Sequence, residues 1–214
     1  MTLFSILALG FFLGMRHATD SDHVIAVTTI VSQQRKVSSA ALTGVFWGIG
    51  HSTTLLIVGA AIILFGVVIP ERLSMSLEFC VALMLVLLGL LNLGNFRRRL
   101  DESHEHPHNH GVYLRLRPAI VGVVHGLAGS AAVALLVLPM IRNPLWALWY
   151  LLIFAAGTIG GMLVITAIIA VPITYSANRF PSFNRYVSAA AGAFSLVFGL
   201  FLVHQIGFIE GLLR

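Results

Sequence analysis

Charge is scarce in this chain. Only 10% of its 214 residues are Asp, Glu, Lys or Arg, while 58% are hydrophobic; a soluble domain has about 25% charged residues. With a mean hydropathy of +0.94, this balance excludes an ordinary water-soluble core. Cysteine is nearly absent as well. Cys80 is the only one, which excludes an intrachain disulfide and dithiol chemistry; it reads as a small apolar packing residue in a helix. The N-terminus has no basic region before its apolar run and no small-residue cleavage pattern, so no removable signal peptide is expected. No Gly-x4-Gly-Lys-Ser/Thr loop is present, so this chain is not expected to hydrolyse ATP, and there is no His-Glu-x-x-His metalloprotease motif. The net charge of +5 and pI near 10.1 suggest nucleic acid at first sight. The basic residues cluster between apolar runs, however, as cytoplasmic loops do. A lipid bilayer, and no nucleic acid, is the expected partner.

What is present is a series of apolar runs long enough to cross a membrane. Six spans can be drawn: Leu3 to Ser32, Ser39 to Ile69, Met75 to Phe96, Ala119 to Leu138, Leu145 to Val171 and Tyr186 to Leu213. At about 1.5 Å per residue the first would be ~45 Å long, too long for a ~30 Å core, so a break near Gly14 to Asp22 is expected. Arg35, Lys36, Arg97, Arg98, Arg99, Arg115, Arg117, Arg179 and Arg185 fall on one side, against Arg72, Arg142 and Arg214 on the other. The first side is expected to be cytoplasmic, with both termini outside.

The halves resemble each other. Gly14-Met15-Arg16-His17 matches Gly122-Val123-Val124-His125, Gly50 matches Gly160, and Leu87-Leu88-Gly89-Leu90 matches Val197-Phe198-Gly199-Leu200, all at displacements of about 110 residues. Three spans reverse direction relative to their copy, so the expected architecture is all-α, with two inverted three-helix repeats over residues 1–96 and 119–214. Inverted repeats with broken helices belong to secondary transporters. Residues 97–118 form the one long hydrophilic loop between them, containing His104, His106, His108 and His110. Short His-rich tracts bind metal loosely. The expected role is metal capture or sensing, the alternative a solvated linker of biased composition.

The decisive stretch is Arg16-His17-Ala18-Thr19-Asp20-Ser21-Asp22-His23, five ionisable groups inside an otherwise apolar span. Each costs roughly 2.5–3.5 kcal/mol at bilayer depth, so they require partners. On one continuous helix Asp20 and His23 lie roughly 60° and 120° round from His17, and Asp22 falls on the opposite side, near Arg16. This predicts a face of His17, Asp20 and His23 that suits a divalent transition metal, with Arg16 paired to Asp22. His51, in Gly48-Ile49-Gly50-His51-Ser52-Thr53-Thr54, and His125, before the small-residue run Gly126-Leu127-Ala128-Gly129-Ser130, are the candidates to complete the shell. Glycines there let another helix approach closely. Asn92 and Asn95 are expected to cap the third span, Glu78 is a vestibule carboxylate or a helix-start charge, and His204 an interfacial residue. Trp47, Trp146 and Trp149 need no functional role, the last two being placed as interface anchors.

The His17-Ala18-Thr19-Asp20-Ser21-Asp22-His23 string resembles the His, four residues, Asp-His signature of the nickel/cobalt transporter family, and Gly50-His51-Ser52 is similar to its second motif. The stretch from His125 to Ser130 is similar to the shorter branch associated with urease maturation. The resemblance covers most of the chain. It implies a non-enzymatic permease for Ni²⁺, and Co²⁺, in the bacterial inner membrane, with His17, Asp20, Asp22 and His23 as selectivity site, the metal as substrate and no cofactor. A downstream metallochaperone or a second copy of the chain would be its partner. The rival readings are an exporter of the same fold and, less favoured, a membrane metalloenzyme. Di-iron sites need clustered His-x3–4-His pairs, and here His17 and His23 are six apart without an accompanying glutamate.

Overall fold

The computed structural model describes residues 3–66, 69–101, 111–126, 141 and 143–213. Their regular secondary structure is all helical, with no strand among them. The helices are α1 (Leu3–His17), α2 (Ser21–Val31), α3 (Val37–Phe65), α4 (Glu71–Asp101), α5 (Gly111–Gly126), α6 (Pro144–Arg179) and α7 (Pro181–His204), the last followed by a π-helical turn Gln205–Ile209. Four segments are long and apolar enough to cross a membrane: Val37–Phe65, Glu71–Arg97, Pro144–Arg179 and Pro181–Ile209. The protein is thus a multi-pass helical membrane protein. Residues 127–138 of the expected fourth span, and His104, His106, His108 and His110, lie outside the described residues.

Helix outlasts hydrophobicity at several ends. α4 continues to Asp101 and α5 begins at Gly111, so helix takes up both flanks of the 97–118 segment. α6 starts one residue ahead of the expected span, where Asn143 accepts from the Leu145 amide at 2.9 Å and Pro144 occupies the first helical position, the position proline fits best. Cys80 is exposed on α4 rather than packed.

The first apolar segment breaks, and its local chemistry explains where. The Thr19 hydroxyl bonds back to the Arg16 carbonyl at 2.6 Å, and the Thr19 and Asp20 amides close tight turns onto Arg16 and His17 at 2.8 and 3.1 Å. Such side-chain bonds offer the backbone an alternative to the helical ladder. Asp20 then takes an extended conformation (φ −60°, ψ 145°) as the residue before α2, and α2 restarts at Ser21. With Ile25, Ala26, Val27 and Val31 all buried, α2 is a short inner helix wrapped by its neighbours.

Helix contacts are reciprocal between the halves. α1 packs on α6 and α3 on α5, while α3 meets α6 and α4 meets α7. A Cβ on Gly14 would fall 2.2 Å from the Phe154 carbonyl and 2.9 Å from the Thr158 amide; one on Gly122 would fall 2.2 Å from the Trp47 carbonyl and 3.0 Å from the His51 amide. A Cβ on Gly50 would fall 2.1 Å from the Ala119 carbonyl, as one on Gly157 would fall 2.3 Å from that of Phe11. Gly89 sits against Gly192 and Leu196 as Gly199 sits against Ala82 and Val86. Each contact maps onto its counterpart when the halves are exchanged at a displacement of about 107–110 residues. The partner of Gly50 is therefore Gly157, not Gly160, whose Cβ position meets nothing within 4 Å.

Asn92 does not cap α4. It is buried in the middle of the helix and ties α4 to α2 and α7. Its amide donates to the Ser188 carbonyl at 3.0 Å and the Ser32 hydroxyl at 3.2 Å, while its oxygen accepts from Ser188 Oγ at 3.0 Å and from the Gln33 amide. Asn95 donates to Gln33 Oε1 at 3.4 Å.

Candidate metal centre

The break between α1 and α2 delivers His17 from the last turn of one helix and His23 from the first turn of the next. The glycine contacts on α3 and α5 bring His51 and His125 to the same place: Gly122 packs on Trp47 and His51, and Gly126 on His51 itself. All four imidazoles are buried, and His23, His51 and His125 have no exposed surface. His17 Nε2 lies 2.9 Å from His51 Nε2, and His125 Nε2 lies 3.2 Å from His23 Nδ1. The His23 ring centroid is 4.7, 5.0 and 4.1 Å from those of His17, His51 and His125.

The carboxylates divide differently from the helical-wheel expectation. Asp20 Oδ2 binds His17 Nδ1 at 2.8 Å, with its side chain 39% exposed. Asp22 instead reaches the imidazoles, Oδ1 to His23 Nδ1 at 3.2 Å and Oδ2 to His125 Nε2 at 3.0 Å. No ion pair joins Arg16 to Asp22. The reason is the break itself: a wheel drawn through Ala18 to Asp20 assumes a continuous helix, and three non-helical residues reset the azimuth of everything after them. Asp20 thereby stands behind His17 and fixes its ring, holding the proton on Nδ1 and leaving the Nε2 lone pair available, as carboxylate–histidine–metal arrangements require.

Two groups of side chains place one potential ligand atom each within 4.8 Å of one another: His17, His23 and His51, and Asp22, His23 and His125. A metal with bonds of about 2.1 Å to nitrogen separates ligands at right angles by about 3.0 Å, close to the observed 2.9–3.2 Å. Among the described residues, His23 Nε2, His51 Nδ1 and His125 Nδ1 are buried without a hydrogen-bond partner. An orphaned buried polar atom costs about 1–3 kcal/mol. Of the three, His23 Nε2 is the one left free as a ligand atom, since His51 and His125 face the cluster through Nε2.

Residues 3–111 match the family described as High-affinity nickel-transport protein. A urease accessory protein, UreH, of Bacillus sp. (strain TB-90) is 42% identical over 220 residues, covering 99% of this chain and 96% of the relative. The chain belongs to the high-affinity nickel-transport family. No solved structure matches it.

Seen within that family, the remaining site residues fall into two sets. Glu78 and His204 belong to neither ligand group, and His204 is exposed at the end of α7 beside Phe208. Trp47, set aside on sequence grounds, lines the centre: its ring stacks on His23 at 6.3 Å and 14° and meets the His125 ring edge-on at 5.6 Å. The signal for it was available, because Trp47 and His51 are four residues apart and so share one face of α3.

Proposed function

We propose that the chain is a permease of the bacterial inner membrane that carries Ni²⁺, and Co²⁺, into the cell for maturation of urease or a similar metalloenzyme. The observation that carries this reading is the buried convergence of His17, His23, His51, His125 and Asp22 within a nickel-transport family. The UreH relationship supports the link to urease. Imidazole and carboxylate ligands suit Ni²⁺ and Co²⁺, and a dry, glycine-packed wall strips water from the ion as it is bound.

The same reading takes the chain as six spans in two inverted repeats, residues 1–96 and 119–214, with both termini outside. The reciprocal glycine contacts support that symmetry. Rocking of one repeat against the other alternates access to the central site. For a divalent cation an inside-negative potential contributes about 4.6 kcal/mol per 100 mV, from about 2.3 per charge, enough to drive accumulation without a coupling ion. The 97–118 segment is cytoplasmic in this scheme, and His104, His106, His108 and His110 receive the released ion before a metallochaperone takes it.

Urease activity at trace nickel tests the proposal in cells. A urease-bearing host lacking its own nickel uptake gains urease activity and nickel sensitivity on expressing this chain. Nickel resistance instead would identify an exporter, and no change in either would reject transport.

A further inference from the structure

We propose that the centre holds two overlapping cation subsites that share His23, one formed by His17, His23 and His51 and the other by Asp22, His23 and His125, between which a single divalent cation is passed. This rests on the metal-transport reading of the cluster and adds a step within it.

Three observations carry it. The two ligand groups are distinct sets with one member in common. His17 and His51 face each other Nε2 to Nε2 at 2.9 Å, whereas Asp22 spans His23 and His125, one carboxylate oxygen to each. His23 is placed to serve both: its Nδ1 faces Asp22 and His125, and its Nε2 is buried with no partner among the described residues.

The subsites differ in charge. The first is three neutral imidazoles, and in it Asp22 acts from behind, accepting from His23 Nδ1 as Asp20 accepts from His17 Nδ1. Both motif carboxylates then orient a ring whose Nε2 points to the ion. In the second subsite Asp22 becomes a ligand itself. A cation moving between them leaves His23 Nε2 and is taken up on His23 Nδ1, the Nδ1 proton passing to the vacated Nε2, while Asp22 and His125 replace His17 and His51 as its other ligands. Two divalent ions sharing one imidazole at this spacing repel strongly, so one ion occupies the pair at a time.

His17 and His125 occupy equivalent positions in the two halves, each one turn beyond a helix-contact glycine, Gly14 and Gly122. Of the ligands that are not shared, His17, His51 and Asp22 come from the first half and His125 alone from the second, so movement of one half against the other changes the shell of the second subsite.

Equilibrium dialysis with Ni²⁺, the absorption spectrum of bound Co²⁺ and uptake into proteoliposomes test this on the full chain in lipid nanodiscs and vesicles. The wild type binds one ion. His51→Gln and His125→Gln each still bind one ion, roughly 10–100-fold more weakly, yet neither transports. Their Co²⁺ spectra differ from each other, because one variant retains Asp22 and His125 and the other His17 and His51. His23→Gln and the double variant bind none. Loss of all binding in either single variant that remains monodisperse would show one undivided shell and overturn the two-subsite proposal; so would wild-type uptake by either. Absence of binding to the wild type would instead overturn the underlying metal-site reading.

Discussion

Substituting Gly122 by alanine tests whether helix packing, and not merely the presence of histidines, builds the centre. The added Cβ would stand 2.2 Å from the Trp47 carbonyl, 2.8 Å from Trp47 Cδ1 and 3.0 Å from the His51 amide. Carbon contacts settle near 3.5–4.0 Å, so α5 must retreat from α3 by about 1 Å. The obstacle is largely backbone, which cannot rotate aside. His125 lies one turn along the same helix, and its 3.0 Å contact to Asp22 and 3.2 Å contact to His23 would stretch to about 4 Å. Overpacking of this kind costs about 1–3 kcal/mol of stability. Disturbing ligand orientation typically lowers metal affinity 10–100-fold, and uptake should fall in proportion. Gly160→Ala is the control: its Cβ meets nothing within 4 Å, and relief of a mid-helix glycine favours it by roughly 0.5–1 kcal/mol. Radioactive nickel uptake in cells, normalised to membrane protein level, reads the difference. Wild-type uptake by Gly122→Ala, or an equal loss in Gly160→Ala, would refute the packing argument.

Other consequences follow from the same geometry. Asn92→Leu removes the bonds that Asn92 makes to the Ser188 carbonyl, Ser188 Oγ, the Ser32 hydroxyl and the Gln33 amide; a loss of about 1–3 kcal/mol is expected, seen as a lower midpoint in thermal unfolding in detergent, and an unchanged midpoint would deny Asn92 its tie between α2, α4 and α7. Asp22→Asn should weaken Ni²⁺ binding more than Asp20→Asn, since Asp22 touches two imidazoles and Asp20 one; dialysis showing the reverse order would return Asp20 to the ligand shell. Ni²⁺ at 100 times its dissociation constant should stabilise the wild type by about 2.7 kcal/mol, a thermal shift that His23→Ala abolishes; an equal shift in that variant would place the ion elsewhere.

The broken first helix was legible because a span of that length cannot fit a bilayer and because Thr19, Asp20 and Ser21 are residues that compete with helix. The meeting of four histidines was legible from their burial in apolar runs beside glycines. The exchange of roles between Asp20 and Asp22 was not. Azimuth carries along a sequence only while the helix does, and the break that could be foreseen is what defeats the wheel beyond it. Asn92 misled for a related reason: the apolar pattern ends near it, but α4 runs on to Asp101, so a terminal polar residue became an interior one. The correspondence of Gly50 with Gly157 needed the packing itself, since repeated glycines offer several registers and only backbone contact selects among them. Trp47 was overlooked because a lone aromatic in an apolar helix carries no signal apart from its spacing to His51.

The most direct test of the central claim is Ni²⁺ entry into proteoliposomes under an imposed inside-negative potential, with Co²⁺, Zn²⁺ and Mn²⁺ as competitors. The wild type should accumulate Ni²⁺ above its external level, while His23→Ala, reconstituted in equal amount and orientation, should not. Accumulation by His23→Ala at the wild-type rate would contradict the account.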